Sequence, residues 1–175
     1  MAEHNFDLVI LGGGSGGYSA ALRAAQLGMN VALVEKDKLG GTCLHRGCIP
    51  TKALLHAAEV ADVTRESENF GVHAEFQGID MTAVNTYRDS IVDRLYKGLS
   101  GLIKAKKVTM VEGEGRLTGP KSVTVGGDVY TGKNLVLATG SVSKSLPGLE
   151  IGGRVITSDQ ALQMDWIPNK VAVLG

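Results

Sequence analysis

The sequence predicts an α/β fold in which a central parallel sheet carries flanking helices and a small antiparallel β-meander. Three observations predict it. Phe6–Leu11, apolar but for Asp7, and Asn30–Val34, apolar from Val31 on, read as largely continuous apolar runs rather than alternating ones, as expected of strands buried on both faces of a parallel sheet. Between them lie the glycine-rich turn Gly12–Gly17 and Tyr18–Leu27, an alanine- and leucine-rich segment of helical character. Further on, Ser122–Val125 and Val129–Thr131 flank Gly126-Gly127-Asp128, the pattern of an antiparallel hairpin.

In chain order, the first strand breaks at Gly12, the helix stops at Gly28, and the second strand finishes at Glu35. Strand, glycine turn, helix, strand and acid make a Rossmann-like βαβ unit with a dinucleotide fingerprint. Gly12 suits the tight turn, Gly14 lets backbone N–H groups approach a pyrophosphate, and Gly17 lets helix and strand pack closely. The helix N-terminus supplies a positive dipole end for phosphates. Glu35 can accept hydrogen bonds from the hydroxyls of an adenosine ribose, where an arginine would have suggested a 2′-phosphate.

Ala53–Val63 reads as a helix with Leu54, Leu55, Ala58 and Ala61 on its packed side, ended by the polar run 64–69. A longer helix is expected over about 80–106, where Val84, Ile91, Leu95 and Leu102 recur at helical spacings. Lys107–Glu112 reads as a strand, and so does Asn134–Ala138, which leads into Thr139-Gly140-Ser141. From Val142 onward the chain is loop-like, with Trp166 expected to pack, until Lys170–Gly175 resembles the opening strand of a second βαβ unit. The domain reading is therefore 1–150 for the nucleotide-binding domain, 151–169 for a connection and 170–175 for the first strand of a truncated second domain.

Bulk properties narrow the function. At 175 residues the chain suits one domain with a full core. Eighteen basic residues balance eighteen acidic ones, so no global field gathers nucleic acid or an anionic membrane. The N-terminus carries no basic leader, and no apolar run approaches the roughly 20 residues a spanning helix needs. A soluble, cytoplasmic protein is expected, in which two cysteines are more often catalytic or metal-binding than structural.

Both cysteines lie in Gly40-Gly41-Thr42-Cys43-Leu44-His45-Arg46-Gly47-Cys48-Ile49-Pro50-Thr51-Lys52, five residues apart. On a regular helix that spacing separates the Cα atoms by roughly 8 to 9 Å, more than a disulfide tolerates. A dithiol or disulfide pair therefore requires the chain to leave helical geometry between them, and Gly47 is best suited to it. Pro50 fits a helix's first turn, which puts Cys48 at the N-terminal end, where the dipole favours a thiolate, with Arg46 and Lys52 adding positive charge. These features suit thiol–disulfide exchange. Two other readings stay open: Cys43, His45 and Cys48 as three metal ligands, though no further Cys or His pair lies near at metal-site spacing, or two inert cysteines.

The stretch from Gly40 to Lys52, read with Gly12–Gly17 and Glu35, resembles the FAD-binding part of the pyridine nucleotide-disulfide oxidoreductase family. Within it, the run from Cys48 to Leu55 is most similar to the dihydrolipoamide dehydrogenases; glutathione and mercuric reductases share the paired cysteines but usually continue differently. The resemblance implies a Cys43–Cys48 disulfide that takes electrons from dihydrolipoamide, Cys43 forming the mixed disulfide and Cys48 lying against the flavin as the charge-transfer thiolate. Electrons then pass through FAD to NAD. It also implies that Gly12, Gly14 and Gly17 contact the pyrophosphate and Glu35 the ribose. Lys36, Gly41 and Thr42 would line the cofactor, Lys52 would lie near the flavin N5, Gly115 would approach the adenine side, and Thr139, Gly140 and Ser141 would end a strand near the cofactor. His45 and Arg46 stand where many members have Asn and Val, and are read as tolerated variation.

The family's nicotinamide-binding domain, flavin-holding return segment and interface domain with its His–Glu base have no counterpart in this sequence. The chain is accordingly read as the FAD- and disulfide-bearing portion of such an enzyme, with the NAD site absent, and as inactive alone. The full-length family forms homodimers that serve dihydrolipoamide on a lipoyl domain of a 2-oxoacid dehydrogenase complex. Weakened flavin retention and self-association are expected of the isolated chain.

Overall fold

The computed structural model describes residues 2–174. They form two compact units, one made of the residues up to His45 with Arg94–Ser143, the other of Arg46–Asp93 with the residues from Lys144 on.

The first unit contains strand β1 (Glu3–Leu11), helix α1 (Ser15–Gln26), strand β2 (Val31–Glu35), the short helix α2 (Gly41–His45) and the second half of a long helix, α4 (Met81–Ala105). Strands β3 (Thr109–Glu112), β4 (Arg116–Gly119), β5 (Ser122–Val125) and β6 (Asp128–Leu137) complete it. The six strands make one sheet in the order β3-β2-β1-β6-β5-β4. β3, β2, β1 and β6 run parallel, and β6, β5 and β4 run antiparallel, so the expected meander is continuous with the parallel sheet through β6.

Alternate residues of the apolar runs feed two cores. Leu8, Ile10 and Leu33 pack with Ala21 and Ala24 of α1 and Ile103 of α4, while Val9, Ala32 and Val34 pack with Val111, Val123 and Val125. Over Leu8–Ile10 of β1 and Val31–Val34 of β2 both faces are buried, so no polar residue alternates there and the pattern reads as continuous. α1 turns Gly17, Ala21 and Ala24 inward, a helical line of small residues.

β6 corrects the expectation of two separate segments. It is one ten-residue strand. Gly132 and Lys133 look like a break, yet a side chain on Gly132 would meet Asn134 O at 2.3 Å and Val9 N at 3.0 Å, so the glycine admits a close backbone approach within the strand. Sequence reading also missed β4 and α2, both too short to show a period.

In the second unit, helix α3 runs over Cys48–Arg65, a 3-10 turn covers Ser67–Phe70, the first half of α4 follows, and α5 occupies Ser158–Ala161 behind a Thr157–Gln160 capping box. α3 starts five residues before the expected Ala53, and it buries Pro50, Ala53 and Ala61 while Leu55 is 60% exposed. On α4, Leu95 and Leu102 are 41% and 44% exposed, and the first unit instead packs Tyr96, Leu99 and Ile103 against its core. A 25-residue helix carries more than one apolar line, and periodicity alone does not choose between them. Trp166 is 59% exposed rather than packed.

Arg88 is 3% exposed and holds the second unit together: Nε donates to Asp89 Oδ1 at 2.8 Å, Nη1 donates to Asn85 Oδ1 and to the Leu162 carbonyl, and Asn85 Nδ2 donates to Met164 O at 3.1 Å. The expected strand at 170–175 does not form over 170–174, which is irregular and largely exposed; Gly175 lies outside the described residues. A strand needs a neighbour for its N–H and C=O groups, and none pairs with it among the described residues.

Candidate functional site

The glycine turn sits at the carboxyl end of β1, between β2 and β6. β2 was reached through α1 on one side and β6 lies on the other, so the turn occupies the point where strand order reverses, the usual ligand crevice of an open α/β sheet. Gly12 has φ +105°, donates its N–H to Val34 O at 2.8 Å, and leaves no room for a Cβ, which would lie 2.2 Å from Ala138 O. Gly17 is excluded from substitution for a different reason: its Cβ would lie 1.8 Å from Gly12 O. Both expected packing roles are therefore filled.

Gly14 is the N-cap of α1, with no side-chain cap and no acidic residue in the first turn. The first N–H groups of such a helix point outward without intrahelical partners. A Cβ on Gly14 would meet only the Gly41 Cα, at 3.9 Å, so the turn is open at this point. Uncapped N–H groups, a dipole end and an open backbone cradle fit an anionic diphosphate, which is the part of FAD that this turn would hold.

Glu35 ends β2 with its carboxylate turned to the same turn. Oε2 accepts from Gly13 N–H at 2.6 Å and Oε1 from Asp37 N–H at 2.9 Å. Each oxygen keeps a further acceptor position. Glu35 also borders a groove of about 320 Å³ lined by Leu39, Tyr96, Ser100 and Lys104. Gly115 packs against the first-unit core, a Cβ there falling 2.5 Å from Leu11 Cδ1 and 2.9 Å from both Val34 Cγ1 and Val123 Cγ1. Thr139, Gly140 and Ser141 are exposed at the end of β6, with Thr139 N beside Gly12. Lys36 and Thr42 are exposed.

The chain leading to Cys43 is tied to the turn. Gly40 N–H donates to Gly13 O at 2.9 Å, and Gly41, at φ +59°, lies against Gly14. α2 begins at that contact, buries Leu44 and carries Cys43 half-buried. His45 is not idle variation. Its Nε2 lies 2.9 Å from Leu39 O and its ring meets Tyr96 edge-on, centroids 5.4 Å apart. No sequence signal pointed to it, because its aromatic partner is on α4.

Helical geometry breaks at Arg46 and Gly47, where the sequence reading placed a break, and resumes at Cys48, the first residue of α3, with Gly47 at the N-cap. In the second unit Cys48 and Lys52 are exposed, Pro50 is buried in the first turn, and Arg46 Nε lies 3.9 Å from Asp159 Oδ2 across a solvent-exposed gap that contributes little. The first unit thus brings Gly12, Gly14, Gly17, Glu35, Gly41 and Thr139 to one sheet end, while Cys48 and Lys52 belong to the second. Among the described residues no three His, Cys, Asp or Glu side chains gather as a metal ion would require, and no helix is long and apolar enough to cross a membrane.

The sequence profile of the pyridine nucleotide-disulphide oxidoreductases matches residues 6–175. This chain belongs to that family. Its similarity to individual members of the family is high: 46% identity to a dihydrolipoyl dehydrogenase of Bacillus subtilis, 42% to one of Thermus scotoductus and 43% to one of Staphylococcus aureus, in each case over 97% of this chain. The chain spans 39%, 37% and 37% of those relatives.

Proposed function

We propose that this chain is the FAD- and disulfide-bearing part of a dihydrolipoyl dehydrogenase. The observation that carries the reading is the tie between the two motifs: Gly40 bonded to Gly13 and Gly41 seated on Gly14, with Cys43 two residues further on. A pyrophosphate held at the α1 N-terminus would thereby lie beside the segment bearing the reactive sulfur. The names of the relatives support the substrate, and the 37% to 39% of their length spanned supports a partial enzyme.

In the proposed reaction Cys43 and Cys48 begin as a disulfide. One sulfur of dihydrolipoamide attacks Cys43 Sγ, and Cys48 leaves as a thiolate. The second substrate sulfur then displaces Cys43, so lipoamide gains a disulfide and the chain gains two thiols, with two electrons and two protons transferred. FAD, when bound, would supply the two-electron redox chemistry that links the dithiol to NAD. The backbone at Gly12, Gly14 and Gly17 holds the pyrophosphate, Glu35 receives the ribose, and Gly115 faces the adenine side. Gly41, Thr42, Lys36 and Thr139–Ser141 line the cofactor, with Lys52 on the flavin side.

Residues 1–150 act as the FAD-binding domain, 151–169 as a connection, and 170–175 as the start of an NAD-binding domain whose strand forms when a neighbour pairs with it. The whole enzyme works as a cytoplasmic homodimer on a lipoyl domain of a 2-oxoacid dehydrogenase complex. The chain alone binds flavin without NAD-linked turnover.

Flavin titration of the chain, with Gly14→Ala and Glu35→Ala beside it, tests the cofactor site; unchanged affinity in both variants sinks it. For the chemistry, the oxidised chain is treated with dihydrolipoamide and with reduced glutathione in parallel. Dihydrolipoamide should release two thiols per chain, and Cys48→Ser treated with oxidised lipoamide should accumulate a mixed disulfide on Cys43, whose thiolate opens the lipoamide disulfide and leaves its second sulfur as a thiol. Faster reaction with glutathione would assign the chain to a different reductase.

A further inference from the structure

We infer that His45 is a positioning residue for Cys43, an inference that rests on the disulfide-exchange reading above. α2 is only five residues long, too short to hold its own geometry in water. Its direction is set by what anchors it. At its start the anchor is the Gly13–Gly40 hydrogen bond and the Gly14–Gly41 contact. At its end the anchor is His45.

A carbonyl oxygen only accepts, so His45 Nε2, 2.9 Å from Leu39 O, carries the hydrogen and donates it. The ring is also fixed edge-on to Tyr96 at an interplanar angle of 65°. Leu39 and Tyr96 are both parts of the first core, Leu39 buried and Tyr96 packed against it. The imidazole therefore ties the last residue of α2 to a rigid layer. Cys43 lies between the two anchors, two residues before His45. Rotation of α2 about its axis would re-aim the sulfur, and His45 blocks it.

The test uses the 175-residue chain with His45→Leu, which removes the donor and the aromatic edge, and His45→Gln, which keeps an N–H donor. Site-resolved alkylation by iodoacetamide reports each cysteine, and equilibration in glutathione redox buffer reports the dithiol–disulfide balance. In His45→Leu, Cys43 should alkylate about fivefold faster, the change in local opening that one lost hydrogen bond produces, and the balance should shift by a similar factor. Cys48 should keep its rate, and His45→Gln should restore both readouts. Tyr96→Leu, which spares the hydrogen bond, should move them the same way by less, and serves if His45→Leu does not fold. Native Cys43 rates in both His45→Leu and Tyr96→Leu, or an equal rise at both cysteines, would overturn the inference. If the native chain forms no disulfide in oxidising buffer, the exchange chemistry falls and the alkylation arm alone decides the role of His45.

Discussion

A side-chain carbon placed on Gly41 would sit 2.7 Å from the Cα of Gly14, although the two residues are 27 positions apart. The contact is asymmetric. Gly41 is at φ +59°, whereas Gly14 is at φ −69° with a Cβ direction that meets nothing nearer than 3.9 Å. Gly41→Ala should therefore lose about 2 kcal/mol from the strained backbone and the clash, read as a lower urea midpoint. Gly14→Ala should cost under about 1 kcal/mol, yet weaken flavin binding by crowding the cradle. A Gly14→Ala chain as unstable as Gly41→Ala would contradict the geometry.

Arg88 supplies donors to the Leu162 carbonyl and the Asn85 side chain from a buried position. Arg88→Met keeps the aliphatic stem but leaves those acceptors without a partner, at a cost of about 2 kcal/mol. The segment from Lys144 onward should become more sensitive to limited proteolysis. Arg88→Lys should rescue little, since one ammonium cannot reproduce a planar fork of donors.

At the other end of the sheet, Lys133 Nζ lies 2.7 Å from Asp7 Oδ1, and Asn30 N–H donates to Asp7 Oδ2 at 2.8 Å. The Lys133 hydrogen bond first, then the Asn30 N–H, hold the Asp7 carboxyl below its ordinary range, and Asp7 in turn raises Lys133. A carboxyl depressed on folding contributes stability that is complete above its unfolded value of about 3.9 and is lost as the pH falls through the lower folded value. For Lys133 the contribution is complete below about 10.4 and is lost as the pH rises through its higher folded value. Lys133→Ala should move the Asp7 titration upward in carbon-detected NMR, and Asn30 should keep it below the ordinary range.

Lys107 closes α4 at φ +57°, with its N–H bonded to Lys104 O and the Val108 N–H bonded to Ile103 O, the paired bonds of a Schellman cap. The left-handed position costs a lysine more than a glycine. Lys107→Gly should raise stability by about 0.5 kcal/mol, the relief exceeding the added chain entropy. Thermal unfolding of the two chains decides it, and a lower midpoint would refute the assignment.

The legible parts of this chain were those with local causes. The parallel strands showed as apolar runs because both their faces are buried at the core, and the stop of α1 followed from Gly28, whereas its start at Ser15 lies three residues before the expected Tyr18. The break near Gly47 was expected from what a Cys43–Cys48 disulfide would need together with the freedom of a glycine. Contacts between distant positions left no such trace: Gly14 with Gly41, His45 with Tyr96, and Arg88 with Leu162 each join residues whose spacing carries no period. The exposed stripe on α4 was misread for the same reason, since the residue that faces a core is chosen by what lies opposite.

By itself the sequence determined the α/β class, the βαβ unit, the glycine turn with its acid at Glu35, and the cysteine motif at a helix start, because each depends on backbone conformation or burial over a few neighbouring residues. Only the tertiary structure decided that the meander continues the sheet through β6, that the Cys43 segment is fastened to the glycine turn, and that His45 anchors it. Those relations arise when separate elements meet, and close packing admits one arrangement of side chains among the many that the same local patterns allow.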